Sequence, residues 1–472
     1  MLSIITRKEL LEIRRDPATW GVLGVYVTIL ALSCVISQWV WTGQTSNQVA
    51  RQRQAREEWL LQSTDSPHLA THDGTTIYKI PSPLTSVDPG TDPELGTVVR
   101  LESHRRHEAT NTLQEDQLRL LRLDFTTPAL LIQAVLPLLV ILVSHVMASR
   151  ERGQGTWELL ASLGVTRRQA ILGKLTAMFC LAATLSAPFL MSLIWIVSRP
   201  GADAGIMTPE FLCRAIAVYA TSLLYLAGWS AAGIAASAHF RSGLSLMLLI
   251  SCWAGWTLIV PRLAVDLASS QFPLPSHQRL QDAREIAIRQ SSDGSDSLET
   301  FNAALEQQLL REYGVPQLSD LPVNLNAARL LAREDFTNSI DDRVESQLAD
   351  VYRQQNRFLD WFEILSPYLA VRAVSTAFAG TDRHHHEAFI VSAEHYRRSL
   401  VKIMNTAEMK GERPGTTVDS RRQFWSQVPE FQQKLPPWTS LLHSRRWSIG
   451  LLVIWCLTMT SVAVLLPRGD IA

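Results

Sequence analysis

Apolar residues gather along this chain into six runs, each about as long as a membrane-spanning helix. The hydrocarbon core of a bilayer is about 30 Å thick, and a helix crosses it with roughly 20 residues. Pro137 and Pro188 interrupt the second and third runs. The pattern predicts an all-α membrane protein with six transmembrane helices, at residues 18–41, 125–148, 170–197, 215–237, 243–261 and 447–466.

Polar residues form two long segments between these runs. The first polar segment, residues 42–124, is predicted to be helical at 48–62 and 103–123, with turns and short extended pieces between them. The second polar segment, residues 262–446, carries an apolar stripe over 327–362, which predicts a helix of about 50 Å or the same helix with a break. Both segments should therefore be mostly helical, with some short strands.

Shorter polar stretches complete the chain at residues 1–17, 149–174, 198–214 and 467–472. Residues 1–17 begin with an amphipathic pattern, typical of a helix that lies in the membrane interface. A signal peptide is disfavoured there, because the apolar run that follows is too long and no small-residue cleavage site succeeds it.

Basic residues predict the orientation of the six spans. Arg199 is in the only short loop on one side, whereas the other side carries Arg7, Lys8, Arg14, Arg15, Arg150, Arg152, Arg167, Arg168, Lys174, Arg241 and Arg468. The positive-inside rule makes the second side cytoplasmic. We expect a multi-pass protein of the bacterial inner membrane, with both termini in the cytoplasm and both long polar segments in the periplasm.

Composition and motifs exclude several functions. The chain has 44 basic and 44 acidic residues, so no net charge directs it to nucleic acid. None of its five cysteines lies in the long polar segments, which leaves no disulfide framework or zinc motif there. The sequence GVTRRQAILGK at 164–174 lacks the glycine spacing of a nucleotide-binding loop, and Leu175 replaces its magnesium-binding Ser or Thr. We expect a non-enzymatic chain that binds no cofactor.

Residues 149–174 resemble a known segment. ERGQGTWELL at 151–160, GVTRR at 164–168 and GK at 173–174 are similar to the connection between the second and third spans of ABC-2-type permeases. RKELLEIRRD at 7–16 resembles the interfacial connecting helix of that family. Residues 66–90 and 365–405 resemble permeases that carry a DUF3526 region, related to the permease component of multicopper enzyme maturation systems. The chain departs from the pattern at Gly153 and at 164–166.

The resemblance implies a permease subunit that couples ATP hydrolysis in a separate ATPase to substrate movement. ATP and magnesium would bind in that partner, and a second permease copy or paralogue would complete the unit, surrounded by membrane lipid. The implied coupling residues are Glu151, Arg152, Gly155, Thr156, Trp157, Glu158, Leu159, Leu160, Arg167, Arg168, Gly173 and Lys174. Those of the connecting helix are Arg7, Lys8, Glu9, Arg14 and Arg15. The alternative is a plain loop whose Arg residues only set the topology.

Histidines offer a further hypothesis, because ten of the twelve lie in the long polar segments. Pairs three or four positions apart on a helix can share a metal ion. His104 and His107 form one such pair, and the main candidates are His68, His72, His384, His385, His386 and His395. Pro67 and the Asp73-Gly74 turn argue against a helix at His68, and three consecutive histidines point in different directions. We therefore expect no metal, and ordinary surface or hydrogen-bonded histidines.

Two other functions remain open. The chain could be a mechanical transmitter that acts on a periplasmic protein without moving a solute, because the spans hold few charged residues that would line a polar path. It could also be a membrane scaffold or receptor without an ATPase. No nucleic-acid partner is expected for any of the three functions.

Overall fold

The computed structural model describes residues 2–107, 109–110, 127–153, 162–198, 209–240, 242–292 and 298–465. The chain begins with helix α1 (Leu2–Arg15), and Asp16 then caps the long helix α2 (Pro17–Leu61). Helix α2 contains the first apolar run and continues into the first polar segment, which confirms the predicted helix at 48–62.

The first polar segment contains a small antiparallel sheet. The sheet consists of strands β1 (Thr75–Tyr78), β2 (Val98–Glu102) and β3 (Arg105–Arg106). Helix α3 (Pro67–Asp73) precedes β1, and helix α4 (Asp92–Leu95) lies between β1 and β2 in the sequence. The strand order is β1-β2-β3, with Thr75 opposite Leu101 and Leu101 opposite Arg106. The helix predicted at 103–123 is therefore wrong at its start, where β3 pairs with β2. Residues 111–123 lie outside the described ones.

The central part of the chain is built from apolar helices. The π-turn Leu131–Val135 leads into helix α5 (Leu136–Gly153). The helices that follow are α6 (Arg167–Leu185), α7 (Ala187–Ser198), α8 (Pro209–His239), α9 (Ser242–Ala254) and α10 (Val260–Gln271). A second π-turn, Gly255–Ile259, joins α9 to α10, so this helical rod continues beyond the span predicted at 243–261.

The second polar segment is helical wherever it is regular in the described residues. It contains α11 (His277–Ser292), α12 (Leu298–Tyr313), α13 (Leu325–Phe362), α14 (Pro367–Ala379), α15 (Arg383–Met409), α16 (Val418–Trp425) and α17 (Trp438–Ser444). Helix α18 (Arg446–Leu465) follows. The stripe at 327–362 forms one unbroken helix of 38 residues, about 57 Å long at 1.5 Å per residue.

Five helical stretches of the described chain are long and apolar enough to cross a membrane: Pro17–Leu61, Pro128–Met147, Pro209–His239, Gly243–Gln271 and Arg446–Leu465. The run predicted as a third span forms two helices, α6 and α7, which bend by 51°. The bend lies at Ser186, two residues before Pro188, whose ring clashes with the preceding turn. Counting this pair as one span brings the number to six.

The two polar segments pack on each other. Trp59 of α2 donates from its indole Nε1 to the backbone oxygen of Trp425 in α16 at 3.1 Å. On the other side, Ile77 and Leu101 of the sheet pack with Phe389 of α15 in a second small core. The segments therefore form one body, although about 270 residues separate their centres in the sequence.

Candidate functional site

Helix α1 lies on the start of helix α6. Its buried residues are Ile5, Glu9 and Ile13, which repeat every four positions and therefore occupy one face of the helix. The neighbouring apolar residues Ile4 and Leu11 are exposed instead. The amphipathic N-terminal segment is thus packed on the helical bundle along one stripe, and an apolar edge stays open beside it.

Gly173 allows α1 and α6 to approach closely. A Cβ atom at Gly173 would lie 2.6 Å from Cγ2 of Ile5, closer than carbon atoms can pack. The hydroxyl of Thr6 donates to the backbone oxygen of Gly173 at 3.2 Å. A residue with a side chain at position 173 would therefore push the two helices apart.

An ion pair also joins α1 to α6. The ammonium group of Lys174 lies 2.8 Å from Oε1 of Glu9, and the two residues are only 5% and 1% exposed. Lys8, at 3.3 Å from the same oxygen, is a more exposed second cation. Breaking a buried ion pair is strongly destabilising, so this contact favours one relative position of α1 and α6.

Local caps hold both ends of the arrangement. Thr166 and Gln169 form a reciprocal capping box at the start of α6, with hydrogen bonds of 3.3 Å and 3.1 Å. Asp16 accepts from the backbone N–H of Ala18 at 3.2 Å and so caps α2 directly after α1 ends. These caps therefore fix the residues at which α2 and α6 begin.

The structure divides the predicted coupling and connecting residues into separate groups. Glu151 and Arg152 are in the last turn of α5, while Gly155, Thr156, Trp157, Glu158, Leu159 and Leu160 lie outside the described residues. Arg7, Arg14, Arg15 and Arg168 are exposed, and Lys8 and Arg167 are half-buried. Glu9, Gly173 and Lys174 face the inside of the α1–α6 contact. All three lie in the contact between the two helices.

The predicted histidines also separate. His68 and His72 lie together with His104, whereas His107 bonds to Glu102 at 2.7 Å. His384 and His395 are exposed on α15. Among the described residues, the run at 384–386 is not part of a metal-binding cluster.

His385 and His386 have structural surroundings. Nδ1 of His385 lies 2.6 Å from Oδ1 of Asp382, which caps α15, and Arg445 lies 2.9 Å from the other oxygen. Burial opposes ionisation of Asp382, but these two partners hold its pKa well below its usual range. Burial, together with the charges of Lys79 and Arg383, lowers the pKa of His386 to about 4.

Sequence reasoning missed the position of helix α14. This helix was predicted within a periplasmic segment, yet it packs between α8 and α18 and shares their hydrophobic core through Tyr368, Val371, Val374 and Phe378. The available signal was the apolar stretch 367–379, which is too short to span a membrane and is interrupted by Arg372. The second polar segment is therefore built into the helical bundle.

Comparison with known proteins adds one match. The family model of DUF3526, a domain of unknown function, matches residues 284–434, from within α11 to the loop between α16 and α17. This confirms the DUF3526 part of the resemblance. No curated protein matches the chain, and no solved structure matches it.

Proposed function

We propose that this chain is the membrane subunit of an ATP-driven transporter of the ABC-2 type. The observation that supports the proposal best is the α1–α6 contact, in which Lys174 is buried against Glu9 and Gly173 receives Ile5. The segment that resembles a coupling connection ends in this contact. The helix that resembles a connecting helix forms its other half.

The contact suggests how force could reach the bundle. A buried ion pair and a close glycine approach make α1 and the first turns of α6 move together, because separating them would expose a charge. A partner that closes on ATP and displaces α1 or residues 149–168 would therefore move α6. Movement of one packed element as a rigid body is a common form of such switching.

The exposed cations are the surface proposed for the ATPase. Arg7, Arg14 and Arg15 on α1, and Arg168 at the start of α6, border the same region and are available to acidic groups of a partner. In this proposal the region faces the cytoplasm, both termini are cytoplasmic, and the two polar segments are periplasmic. ATP and magnesium belong to the partner, and a second permease completes the assembly.

Co-purification tests the proposal. The tagged full-length chain is purified from the membranes of its host in mild detergent, and magnesium-dependent ATP hydrolysis is measured in the preparation. Arg168→Glu should reduce the retained ATPase at least tenfold. The control Lys402→Glu reverses an exposed charge on α15 and should retain it. Equal retention in the two variants contradicts the assigned surface. A preparation without any ATPase contradicts the transporter and favours a scaffold or receptor.

One observation favours a mechanical transmitter as the second candidate. Helix α14 of the second polar segment packs on α8 and α18. Movement of the bundle would therefore pass directly to the body formed by the two polar segments. Hydrogen–deuterium exchange in α14 and α13 of the purified complex, with and without ATP, tests this function. A change in both helices supports transmission, and no change in either contradicts it.

A further inference from the structure

Helix α3 places two histidines on one face. His68 and His72 are four positions apart, which brings side chains together on a helix. Pro67 occupies the first helical position, where its missing N–H costs nothing, and Ser66 caps the helix by accepting from Leu69. Gly74, with φ of +63°, ends it. The proline and glycine that argued against a helix are its boundary residues.

The turn between β2 and β3 brings a third histidine to the same place. His104 has φ of +61°, the left-handed conformation, which directs the turn back towards α3. The backbone N–H of Ser103 donates to the oxygen of Thr71 at 2.8 Å and ties the turn to the helix. The three rings lie in mutual contact, with centroids 4.8 to 5.8 Å apart.

The spacing of the ring nitrogens suits a metal ion. One nitrogen from each ring lies within 4.8 Å of the others, and Nε2 of His68 is 3.2 Å from Nε2 of His72. Two ligands of tetrahedral zinc, each about 2.0–2.1 Å from the ion, are about 3.3 Å apart. His72 and His104 are exposed, so small rotations of their rings can complete the geometry and solvent can reach the site.

Buried partners orient two of the rings from behind. Nδ1 of His68 lies 2.8 Å from Oδ1 of Asn405, and Nδ1 of His104 bonds to the carboxylate of Glu334. Asn405 and Glu334 are 1% and 3% exposed. An amide or carboxylate oxygen accepts from Nδ1–H, so the neutral ring keeps its Nε2 lone pair for the centre of the cluster. Partners of this kind are typical of histidines that bind metals.

We propose that His68, His72 and His104 bind a divalent transition metal of the class that prefers imidazole, with Zn²⁺ as its representative. Three neutral nitrogens leave a fourth position for water or another ligand. The ligands come from the first polar segment, and Glu334 and Asn405 come from helices α13 and α15 of the second. The ion would therefore brace the two segments against each other. This site does not depend on the function proposed above.

Zinc binding to the purified full-length chain tests the site. After metal removal, Zn²⁺ is titrated in competition with a chromophoric chelator, and one ion per chain is expected. His72→Ala and His104→Asn should each weaken binding at least tenfold. Asparagine tolerates the left-handed conformation of position 104, so the second variant removes the imidazole without straining the turn. X-ray absorption at the zinc edge should show nitrogen neighbours at about 2.0 Å.

Matched histidine variants separate this site from unspecific binding. His384→Ala and His395→Ala remove exposed histidines of α15 and should leave the zinc affinity unchanged. Glu334→Gln should weaken binding roughly 10- to 100-fold, the usual effect of losing a partner behind a ligand. Absence of zinc binding overturns the proposal. So does binding that survives both His72→Ala and His104→Asn, or binding that His384→Ala abolishes.

Discussion

Glu9 and Lys174 form a buried ion pair across 165 positions of the sequence, with 2.8 Å between the carboxylate oxygen and the ammonium nitrogen. The pair joins the N-terminal helix to the helix that follows residues 149–166. Sequence reasoning placed Glu9 on the connecting helix and Lys174 among the coupling residues. Both side chains are buried in the contact between the two helices.

Breaking this pair should destabilise the protein. Glu9→Gln or Lys174→Met removes the 2.8 Å contact between the two buried groups, and breaking a buried ion pair costs about 3–5 kcal/mol. Lys8, 3.3 Å from the same carboxylate oxygen, should offset part of the loss in Lys174→Met. The double variant Glu9→Leu with Lys174→Met removes both charges and should recover most of the loss. Thermal unfolding in detergent measures the relative stabilities of the native protein, the single variants and the double variant. Arg14→Gln, at an exposed position of α1, is the control. Single variants as stable as the control would contradict the buried pair.

Gly173→Ala should loosen the contact between α1 and α6. The new Cβ would lie 2.6 Å from Cγ2 of Ile5, so the helices must separate. Ile5→Gly in the same chain removes both clashing atoms, Cγ2 at 2.6 Å and Cβ at 2.8 Å. The double variant should therefore unfold at about the same temperature as Ile5→Gly alone. Gly24→Ala is the matched control, since a Cβ there meets nothing within 4 Å. If Gly173→Ala and Gly24→Ala lower the unfolding temperature equally, α1 does not approach α6 closely at Gly173.

Ser366→Ala should weaken the attachment of α14. The Ser366 hydroxyl donates to the backbone oxygen of Trp256 at 2.7 Å, in the π-turn before Pro261. Proline has no N–H to offer this carbonyl, so the part-buried oxygen loses its donor in the variant, at a cost of about 1–3 kcal/mol. The variant also removes the N-cap that Ser366 provides to Leu369. Faster hydrogen exchange in α14 is expected. Ser392→Ala, on α15, removes only a bond within its own helix and should leave α14 unchanged.

Glu363 should make stability depend on pH. Burial raises its pKa to about 7, assisted by Asp360 and opposed by Ser448 and Arg445. Between about 4.5 and 7 the folded chain holds a proton that the unfolded chain has lost, so stability falls as pH rises through this window. The contribution is on the order of 3 kcal/mol.

Glu363→Gln removes this titration. The unfolding temperature of the native protein should decrease between pH 5 and pH 8 by more than that of the variant. Glu312→Gln, at an exposed carboxylate of α12, serves as the control and should keep the full difference. An equal difference in all three proteins would show that Glu363 does not titrate in the window.

Apolar run length and periodicity determined the broad architecture. A bilayer-length run or a repeating apolar stripe is a local property. The helices at 18–41, 215–237 and 447–466, and the long helix at 327–362, could therefore be predicted from the order of apolar and polar residues alone. Pro188 likewise marked the place of the bend between α6 and α7. The positions of these helices along the sequence can therefore be predicted without knowing which elements they pack against.

The contacts that carry the proposals were decided by tertiary structure. Nothing near Glu9 in the sequence indicates Lys174, and nothing near His68 indicates His104 or Glu334, because packing of distant elements brings these groups together. In sequence, α14 resembles the other helices of the second polar segment. Only the fold shows that it packs between α8 and α18. Sequence determined which segments are helical and apolar. Only the fold decided which charges are buried, which histidines meet, and where the two polar segments join the helical bundle.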